Sequence, residues 1–186
     1  MDRLRGHEGD AARAYFGVFR HLVTIDGRDF TLDARERRPP RGRMNALLSF
    51  LYFLLTEEAV AAVEAAGLDP QVGFLHALRS GKPSLALDLM EELRSPLADR
   101  IALRLVNLRE LSADNFTLKD NGAVYLDTEG RRIVLRAWAE RRQELVAHPA
   151  VAEKIPWGLV IHTQAKLLAR HLRGEGPEYT AFPAPS

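Results

Sequence analysis

The sequence contains no cysteine among its 186 residues, which excludes disulfides, thiolate metal ligands and cysteine nucleophiles. It also has no excess of one charge, because 26 Lys and Arg residues stand against 25 Asp and Glu residues, for a formal net charge of +1. A basic field over the whole protein therefore cannot be used to argue for nucleic-acid binding. Only local clusters of charge can support such a function.

Long hydrophobic runs are missing as well. The most apolar stretch, 46–55, has about half of the ~20 residues that a helix needs to cross a bilayer, so we expect a buried helix there. The first ten residues are too charged for the apolar core of a signal peptide. Together these features predict a soluble, cytoplasmic protein without a membrane segment.

The pattern of apolar residues predicts a mainly α fold, a helical bundle with one or two small β-hairpins. Helical periodicity covers 2–23, 44–66, 83–94, 96–111, 128–145 and 156–173, and a short helix carrying His76 is expected over 69–79. Turn residues predict one hairpin around Asp26-Gly27 and a weaker one pairing 116–118 with 124–126. We expect a helical domain over 1–173 and a flexible, Pro- and Gly-rich tail over 174–186.

Glu8 falls on the apolar stripe of the first helix, between Leu4 and Tyr15. A carboxylate that faces the interior needs a cation, a proton or several hydrogen bonds. The alternative is that Glu8 lies near the helix end and reaches solvent or pairs with an arginine. Periodicity alone favours this alternative.

A second group of candidate residues lies around 76–91. Asp88 and Glu91 are three residues apart, so their side chains are neighbours on one face of a helix, and His76 precedes them across a glycine-containing loop. An imidazole and carboxylates together suit Mn²⁺ or Mg²⁺. The alternative is a solvated polar face with a histidine that binds nothing, which is the commoner situation for each residue taken alone.

Five arginines crowd the Pro-containing loop 35–43, at positions 35, 37, 38, 41 and 43. Clustered guanidinium groups can bind a nucleic-acid backbone, but they are also common in solvated connectors, and both interpretations stay open. Gly81-Lys82 lacks the upstream glycine of a phosphate-binding loop, and no Gly-x-Ser-x-Gly motif is present. Nucleotide hydrolysis and acyl transfer therefore have little support.

Taken in chain order, these motifs resemble one family. The matching stretches are LRGHEGDAARAYF at 4–16, RRPPRGRMNALLSFLY at 37–52, GLDPQVGFLHALRSGKPSLALDLMEELR at 67–94, IALRLVNLREL at 101–111 and GRRIVLRAWAERR at 130–142. They are similar to the C-terminal helical domain of the CRISPR-associated adaptation integrase Cas1, the DNA-integrating subunit of spacer acquisition. The resemblance spans nearly the whole chain, and the third stretch is highly specific.

In that family a divalent metal is bound by a glutamate in a Gly-x-Glu-Gly helix, a histidine after a Gly-Phe-Leu/Val-His turn and an acid on the next helix. The resemblance implies that Glu8, His76 and Glu91 hold Mg²⁺ or Mn²⁺ and form the catalytic site together with Asp88. The family's last acid is often aspartate, and glutamate is a longer ligand here. Asp88 matches the family's other acid on the same helix.

DNA-binding positions follow from the same resemblance. Lys82 matches a basic position that resembles a phosphate contact, and Asn45 matches a polar position close to the catalytic pocket. Arg41 and Arg43, in the arginine loop, would hold the DNA backbone without reading bases.

The implied activity is metal-dependent transesterification or hydrolysis on prespacer and repeat DNA. The implied partners are DNA, a second copy of the chain in a homodimer, and Cas2, with a Cas4-type nuclease as a further candidate. The family also has a β-rich N-terminal domain, which forms much of the homodimer, and this sequence begins where the helical domain is expected. That departure keeps a second hypothesis open, a non-catalytic scaffold that binds DNA or an adaptation partner.

Overall fold

The computed structural model describes residues 2–25, 29–36, 38–77 and 79–183, with side chains described from Gly9 onward. The described chain is mainly helical, as the periodicity predicts. The helices are α1 (Asp2–Phe19), α2 (Arg43–Ala65), α3 (Ser84–Leu93), α4 (Arg100–Asn107), α5 (Thr128–Gln143) and α6 (Trp157–Leu172). Short 3-10 turns cover Arg20–Leu22 and Ala113–Asn115.

Two small antiparallel ladders accompany the helices. Strands β1 (Phe116–Leu118) and β2 (Val124–Leu126) pair with Phe116 opposite Leu126, which confirms the predicted hairpin. Strands β3 (Leu145–Val146) and β4 (Ile155–Pro156) form a second ladder of two residues each, too short to leave a periodic signal in the sequence.

The chain divides into two compact units. Unit 1 comprises 1–51 and 99–138, and unit 2 comprises 52–98 and 139–186. The core of unit 1 combines apolar side chains of α1, α2, α4 and α5, namely Phe16, Phe19, Met44, Leu47, Leu48, Leu51, Ile101, Leu105, Val134 and Trp138. In unit 2, α3 packs against α6. The buried side chains there are Leu85, Leu89, Met90, Leu93, Trp157, Val160, Ile161, Ala165 and Leu168.

Helix α2 is long and apolar enough to cross a membrane by length and composition alone. Half of its apolar window is buried inside the protein, and Leu47, Leu51 and Leu55 are fully buried. These are the properties of a core helix, as the sequence predicts. The helix ends before Gly67, whose φ of +75° is a left-handed conformation that favours glycine.

The hairpin predicted around Asp26-Gly27 is wrong in its flanks, and the turn itself lies outside the described residues. Neither 23–25 nor 29–32 forms a strand. The backbone N–H of Thr24 donates instead to Asn107 Oδ1 at 2.9 Å, and the ring of Phe30 packs against that of Phe116 with centroids 5.7 Å apart. Contacts distant in sequence, and not pairing between its two halves, thus hold the described parts of this segment.

The helix predicted over 69–79 is also wrong, because the described residues there form a loop. The backbone N–H groups of 74–76 donate to the side chain of Asp88 on α3, and Pro70 O accepts from the N–H of Leu85 at 2.8 Å. Tertiary hydrogen bonds replace the intrahelical ones.

Pro96 does not open a new helix, which corrects a third prediction. The chain continues from α3 through a π-helical turn, Arg94–Asp99, directly into α4. Proline has no N–H to donate to the preceding turn, and a wider turn accommodates it without breaking the helix. Helix α4 then ends at Asn107, four residues before the predicted end.

The predicted tail, 174–186, has no helix or strand over its described part, 174–183. Phe182 is nevertheless buried, with 5% of its surface exposed, and Tyr179 donates to Glu92. These residues pack onto unit 2. Flexibility stays a prediction for 184–186, which lie outside the described residues.

Candidate functional site

The loop that carries His76 is held by one carboxylate. Asp88 Oδ2 accepts the backbone N–H groups of Phe74 at 2.6 Å and Leu75 at 2.9 Å, and Oδ1 accepts that of His76 at 3.0 Å. The Asp88 side chain is only 9% exposed. A buried carboxylate with three backbone donors is well solvated by the protein, so the loop and α3 are fixed to each other.

The same loop approaches α3 so closely that only glycine fits at position 73. A Cβ on Gly73 would lie 2.7 Å from the carbonyl carbon of Ser84 and 2.8 Å from Asp88 Oδ2. The buried hydroxyl of Ser84 donates to Ala77 O at 3.0 Å and ties down the other side of His76. The Gly-Phe-Leu-His segment thus has a structural reason for its first residue.

Asp88 also orients the imidazole. Its Oδ1 atom lies 2.7 Å from Nδ1 of His76. An ionised carboxylate only accepts hydrogen bonds, so Nδ1 carries a proton, and Nε2 is the ring nitrogen that can act as a ligand. This carboxylate–histidine arrangement is the usual support of a metal-ligating histidine.

Glu91 lies three residues beyond Asp88 on α3 and is held by Arg94, whose Nη1 donates to Glu91 Oε2. The Arg94 guanidinium also lies over the ring of Tyr52, 4.7 Å from its centroid. Burial opposes the charge, yet Tyr52 and Glu91 together raise the pKa of Arg94, which therefore stays a cation. A metal at Glu91 would share this carboxylate with Arg94. The i, i+3 spacing of Glu91 and Arg94 could have revealed this pair from the sequence.

The predicted metal-binding residues are only partly placed. Glu8 belongs to the backbone of α1, but its side chain lies outside the described residues. Among the side chains that are described, no three of the His, Asp and Glu type converge on one point that could hold a metal ion. His76 has the donor atom and the supporting acid that a divalent ion requires, so it fits that role, and Glu8 and Glu91 stay predictions as ligands.

Lys82 lies at the end of the loop, just before α3, and is half-buried. Its backbone N–H donates to Arg79 O at 3.0 Å across Gly81, whose φ is +72°. This turn fixes the backbone position from which the Lys82 side chain extends. Its contact with DNA stays a prediction.

The arginine loop is built around the side chain of Asn45, which is 5% exposed. Asn45 Oδ1 accepts from Arg35 Nη1 at 2.9 Å and from the N–H of Glu36 at 3.0 Å. Its Nδ2 donates to the carbonyls of Ala34 and Arg41, each at 2.9 Å. All four hydrogen-bonding positions of the amide are thus used inside unit 1, and Asn45 shapes the loop without a group left over for DNA.

Arg41 and Arg43 differ in their surroundings. Arg41 is exposed. Arg43 is bound to Asp29, with Nη1 3.0 Å from Oδ1, and donates through Nε to Ala113 O at 3.4 Å. Arg41 is therefore the more available of the two for a phosphate group.

Comparison with known proteins gives a consistent result. The sequence pattern of the family described as CRISPR associated protein Cas1 matches residues 1–140. CRISPR-associated endonuclease Cas1 2 of Rhodospirillum rubrum is 55% identical over 178 residues, 96% of this chain and 52% of that protein. CRISPR-associated endonuclease Cas1 1 of Moorella thermoacetica is 50% identical over 182 residues, 98% of this chain and 53% of that protein. The chain spans about half the length of these relatives.

Solved structures share the fold. A CAS1 protein from Thermotoga maritima superposes with a TM-score of 0.83 at 28% identity, covering 95% of this chain and 55% of the other. A casposase bound to an integration product gives a TM-score of 0.83 at 25% identity, over 93% of this chain and 50% of the other. A Cas6-RT-Cas1–Cas2 complex gives 0.81 at 25% identity, over 98% of this chain and 19% of the other. Because the family match covers well over half of the sequence, the chain belongs to the Cas1 family of CRISPR-associated proteins.

Proposed function

We propose that this chain is the helical catalytic domain of a metal-dependent DNA endonuclease/integrase subunit of CRISPR spacer acquisition. The observation that carries the proposal is His76, which is held on a fixed loop by Asp88 with its Nε2 lone pair available as a ligand. The names of the relatives support a nuclease, and the casposase structure supports integration chemistry within this fold.

Glu8, His76 and Glu91 are the proposed ligands of a Mg²⁺ or Mn²⁺ ion. The bound ion would supply charge neutralisation at the phosphate and activation of the attacking oxygen, the 3′-hydroxyl of a prespacer strand or water. Asp88 holds the proton on Nδ1 of His76 and prevents the ring from rotating. Arg94 pairs with the Glu91 carboxylate on one side of α3.

Lys82 and Arg41 are the proposed phosphate contacts, with Arg43 contributing after partial release from Asp29. Charged side chains of this kind position a backbone and carry no sequence information. Asn45 is not a DNA contact in this proposal, because its amide is used within the loop.

The proposed partners are prespacer and repeat DNA, a second copy of the chain, Cas2 and a Cas4-type nuclease, within the cytoplasm. The Cas6-RT-Cas1–Cas2 structure supports Cas2. A relative in Geobacter sulfurreducens, 39% identical over 186 residues, is named as a Cas4/Cas1 fusion and supports Cas4.

A non-catalytic scaffold is the second candidate. One observation favours it: Glu91 is already bound to Arg94. A scaffold would bind DNA or Cas2 without a functioning metal site.

Calorimetry with Mn²⁺ separates the two candidates. The catalytic proposal requires a stoichiometric site that is lost in both His76→Ala and Glu91→Ala and kept in His171→Ala, a matched change at an exposed histidine of α6. Metal-dependent cleavage of branched DNA should then be lost in the same two variants. DNA binding with neither metal binding nor cleavage would establish the scaffold.

A further inference from the structure

The described end of the chain folds back onto unit 2. Helix α6 stops at Leu172, the chain turns at Gly174 with a φ of +69°, and Phe182 enters the core. Its ring lies 5.4 Å from the ring of His148 and 5.6 Å from that of Trp157. Burying one phenyl ring among aromatic neighbours stabilises the packing of this segment on unit 2, although the segment has no secondary structure.

Polar groups of the same segment converge on Glu92 of α3. One carboxylate accepts the phenol of Tyr179, the backbone N–H of Phe182 at 2.8 Å and the side-chain amide of Gln164 at 2.6 Å. Burial and the nearby Glu92 raise the pKa of Tyr179, so its hydroxyl keeps the proton that it donates. Two of the three donors of Glu92 thus come from the end of the chain.

Gln164, on α6, connects the Glu92 carboxylate to the end of the chain and to His148. It is 1% exposed, and its amide nitrogen lies 2.9 Å from the Tyr179 hydroxyl and 3.2 Å from Thr180 O. Its carbonyl oxygen lies 3.1 Å from Nε2 of His148. The network joins α3, α6 and the end of the chain through the buried side chains of Gln164 and His148 and the half-buried ones of Glu92 and Tyr179.

The position of Glu92 gives this network a functional consequence. Glu92 directly follows Glu91 and lies one turn beyond Asp88 on the same ten-residue helix. Such a short helix has little stability of its own, so its position depends on tertiary contacts. We propose that the segment 179–182 is a clasp that positions α3, and through it Asp88 and Glu91, for catalysis. The clasp rests on the proposed function for its effect on catalysis, but its effect on α3 can be measured without it.

The clasp is tested in the 186-residue chain by hydrogen exchange at the α3 amides. Phe182→Ala and Tyr179→Phe should raise exchange at positions 88–93 by at least roughly tenfold, because α3 loses its partner. Glu178→Ala, an exposed neighbour in the same segment, is the matched control and should leave exchange unchanged. Unchanged exchange in α3 for both clasp variants would overturn the proposal.

Restoration by a peptide distinguishes docking from general destabilisation. A synthetic peptide of residues 177–186 is added in excess to the Phe182→Ala chain. Its phenyl ring should bind where the Phe182 ring packs in the unaltered chain, and slow exchange in α3 should return. The same peptide carrying Phe182→Ala should not. If the unaltered peptide does not bind or does not restore slow exchange in α3, Phe182 acts only as a part of the core, and the clasp is contradicted.

DNA cleavage provides the catalytic readout. In the Phe182→Ala chain, kcat should fall by about tenfold with KM for DNA little changed, since positioning is lost while the phosphate contacts remain, and the peptide should restore it. A changed KM with unchanged kcat would contradict the clasp. If the unaltered chain cleaves no DNA, the proposed function fails, whereas the exchange and peptide results still decide whether the clasp holds α3.

Discussion

Oδ1 of Asp88 lies 2.7 Å from Nδ1 of His76 and 3.0 Å from the backbone nitrogen of the same residue. One atom thereby fixes both the ring and the main chain of the histidine. The acid lies on a helix and the histidine on a loop, so this double contact holds the loop to the helix. Asp88 is therefore a positioning residue, and the proton on Nδ1 is what it controls.

The first prediction concerns Asp88→Asn. The amide keeps the size of the carboxylate but turns one acceptor into a donor, which then faces backbone N–H groups. We expect Mn²⁺ affinity to fall by about 10- to 100-fold, the usual effect of losing a ligand's supporting acid. Calorimetry measures it, and Asp120→Asn, in the exposed β1–β2 turn, is the control. An affinity equal to that of the unaltered chain would show that His76 needs no carboxylate to bind metal.

The second prediction compares two glycines. Gly73→Ala would place a Cβ 2.7 Å from the carbonyl carbon of Ser84, so the loop must move away from α3. We expect the free energy of unfolding to fall by about 1–3 kcal/mol, together with loss of the Mn²⁺ site. Gly17→Ala, in the exposed part of α1 with no atom within 4 Å of the added Cβ, should instead raise stability by roughly 0.5–1 kcal/mol.

Urea denaturation of both variants gives these values. The two variants are expected to change the free energy of unfolding in opposite directions. A general intolerance of alanine would lower it in both variants. Equal stability of Gly73→Ala and the unaltered chain would mean that the loop can withdraw from α3 without cost.

The sequence could predict those parts of the fold that depend on nearby residues. The apolar period of α2, its stop at Gly67 and the β1–β2 hairpin around Gly122 all arise from local patterns, and all are present. The loop at 69–79 could not be predicted, because its conformation is decided by Asp88, which is 12 residues away from His76. The prediction of strands on either side of 26 was wrong for the same reason, since the backbone N–H of Thr24 donates to the distant Asn107.

The candidate site divides in the same way. The family resemblance selected His76, Asp88 and Glu91 as candidates, but neither it nor the spacing assigned the contacts between them. The role of Asn45 depends on burial and on four partners in a loop without a regular period, which a sequence does not display. The partners of Glu92 are more distant still, 72 residues away at Gln164 and up to 90 at the end of the chain.

The third prediction is that Asn45→Ala lowers stability and leaves DNA affinity intact. The substitution removes four part-buried hydrogen bonds, to Arg35, the Glu36 N–H and two carbonyls, at a total cost of about 2–4 kcal/mol. Asn121→Ala removes one contact, to the Ala123 N–H in an exposed turn, and should cost less than about 1 kcal/mol.

Urea denaturation and DNA titration of the folded variants check this pair. A fall in DNA affinity without a fall in stability would place Asn45 on the DNA. A fall in stability alone would confirm that its amide serves the loop.

The fourth prediction concerns acid stability and His148, which is 3% exposed. Burial lowers its pKa below the ordinary value of 6.5, although Gln164 and Glu92 act in the opposite direction. The geometry agrees with a neutral ring, because Nε2 faces the carbonyl oxygen of Gln164 and Nδ1 accepts the Ala150 N–H at 3.2 Å. Protonation would place a hydrogen on Nδ1 against that N–H.

The sign of the pH effect follows from this shift. Between the lowered pKa of the folded state and 6.5, the unfolded chain binds the proton that folded His148 refuses, so stability rises with pH in this window. The contribution is fully present above the unfolded pKa and is lost as the pH falls from there towards the folded pKa. His162 has a pKa lowered by burial and by Arg142 and Lys166, and it adds to the slope in the same direction.

Urea denaturation of the unaltered chain, His148→Gln and His162→Gln across pH 5 to 8 measures the two contributions, a range of about 1.5 units on either side of the unfolded pKa. Glutamine keeps a donor for Gln164 but does not titrate, so His148→Gln should flatten the acid side of the profile, and His162→Gln should flatten it separately. A profile for His148→Gln that stays parallel to that of the unaltered chain would mean that His148 is protonated equally easily in the folded and unfolded states. His148 also contacts the ring of Phe182. Acidification through this pH window should therefore weaken the packing of the clasp before the rest of unit 2 unfolds. Faster hydrogen exchange at the amides of 179–182 would detect this change.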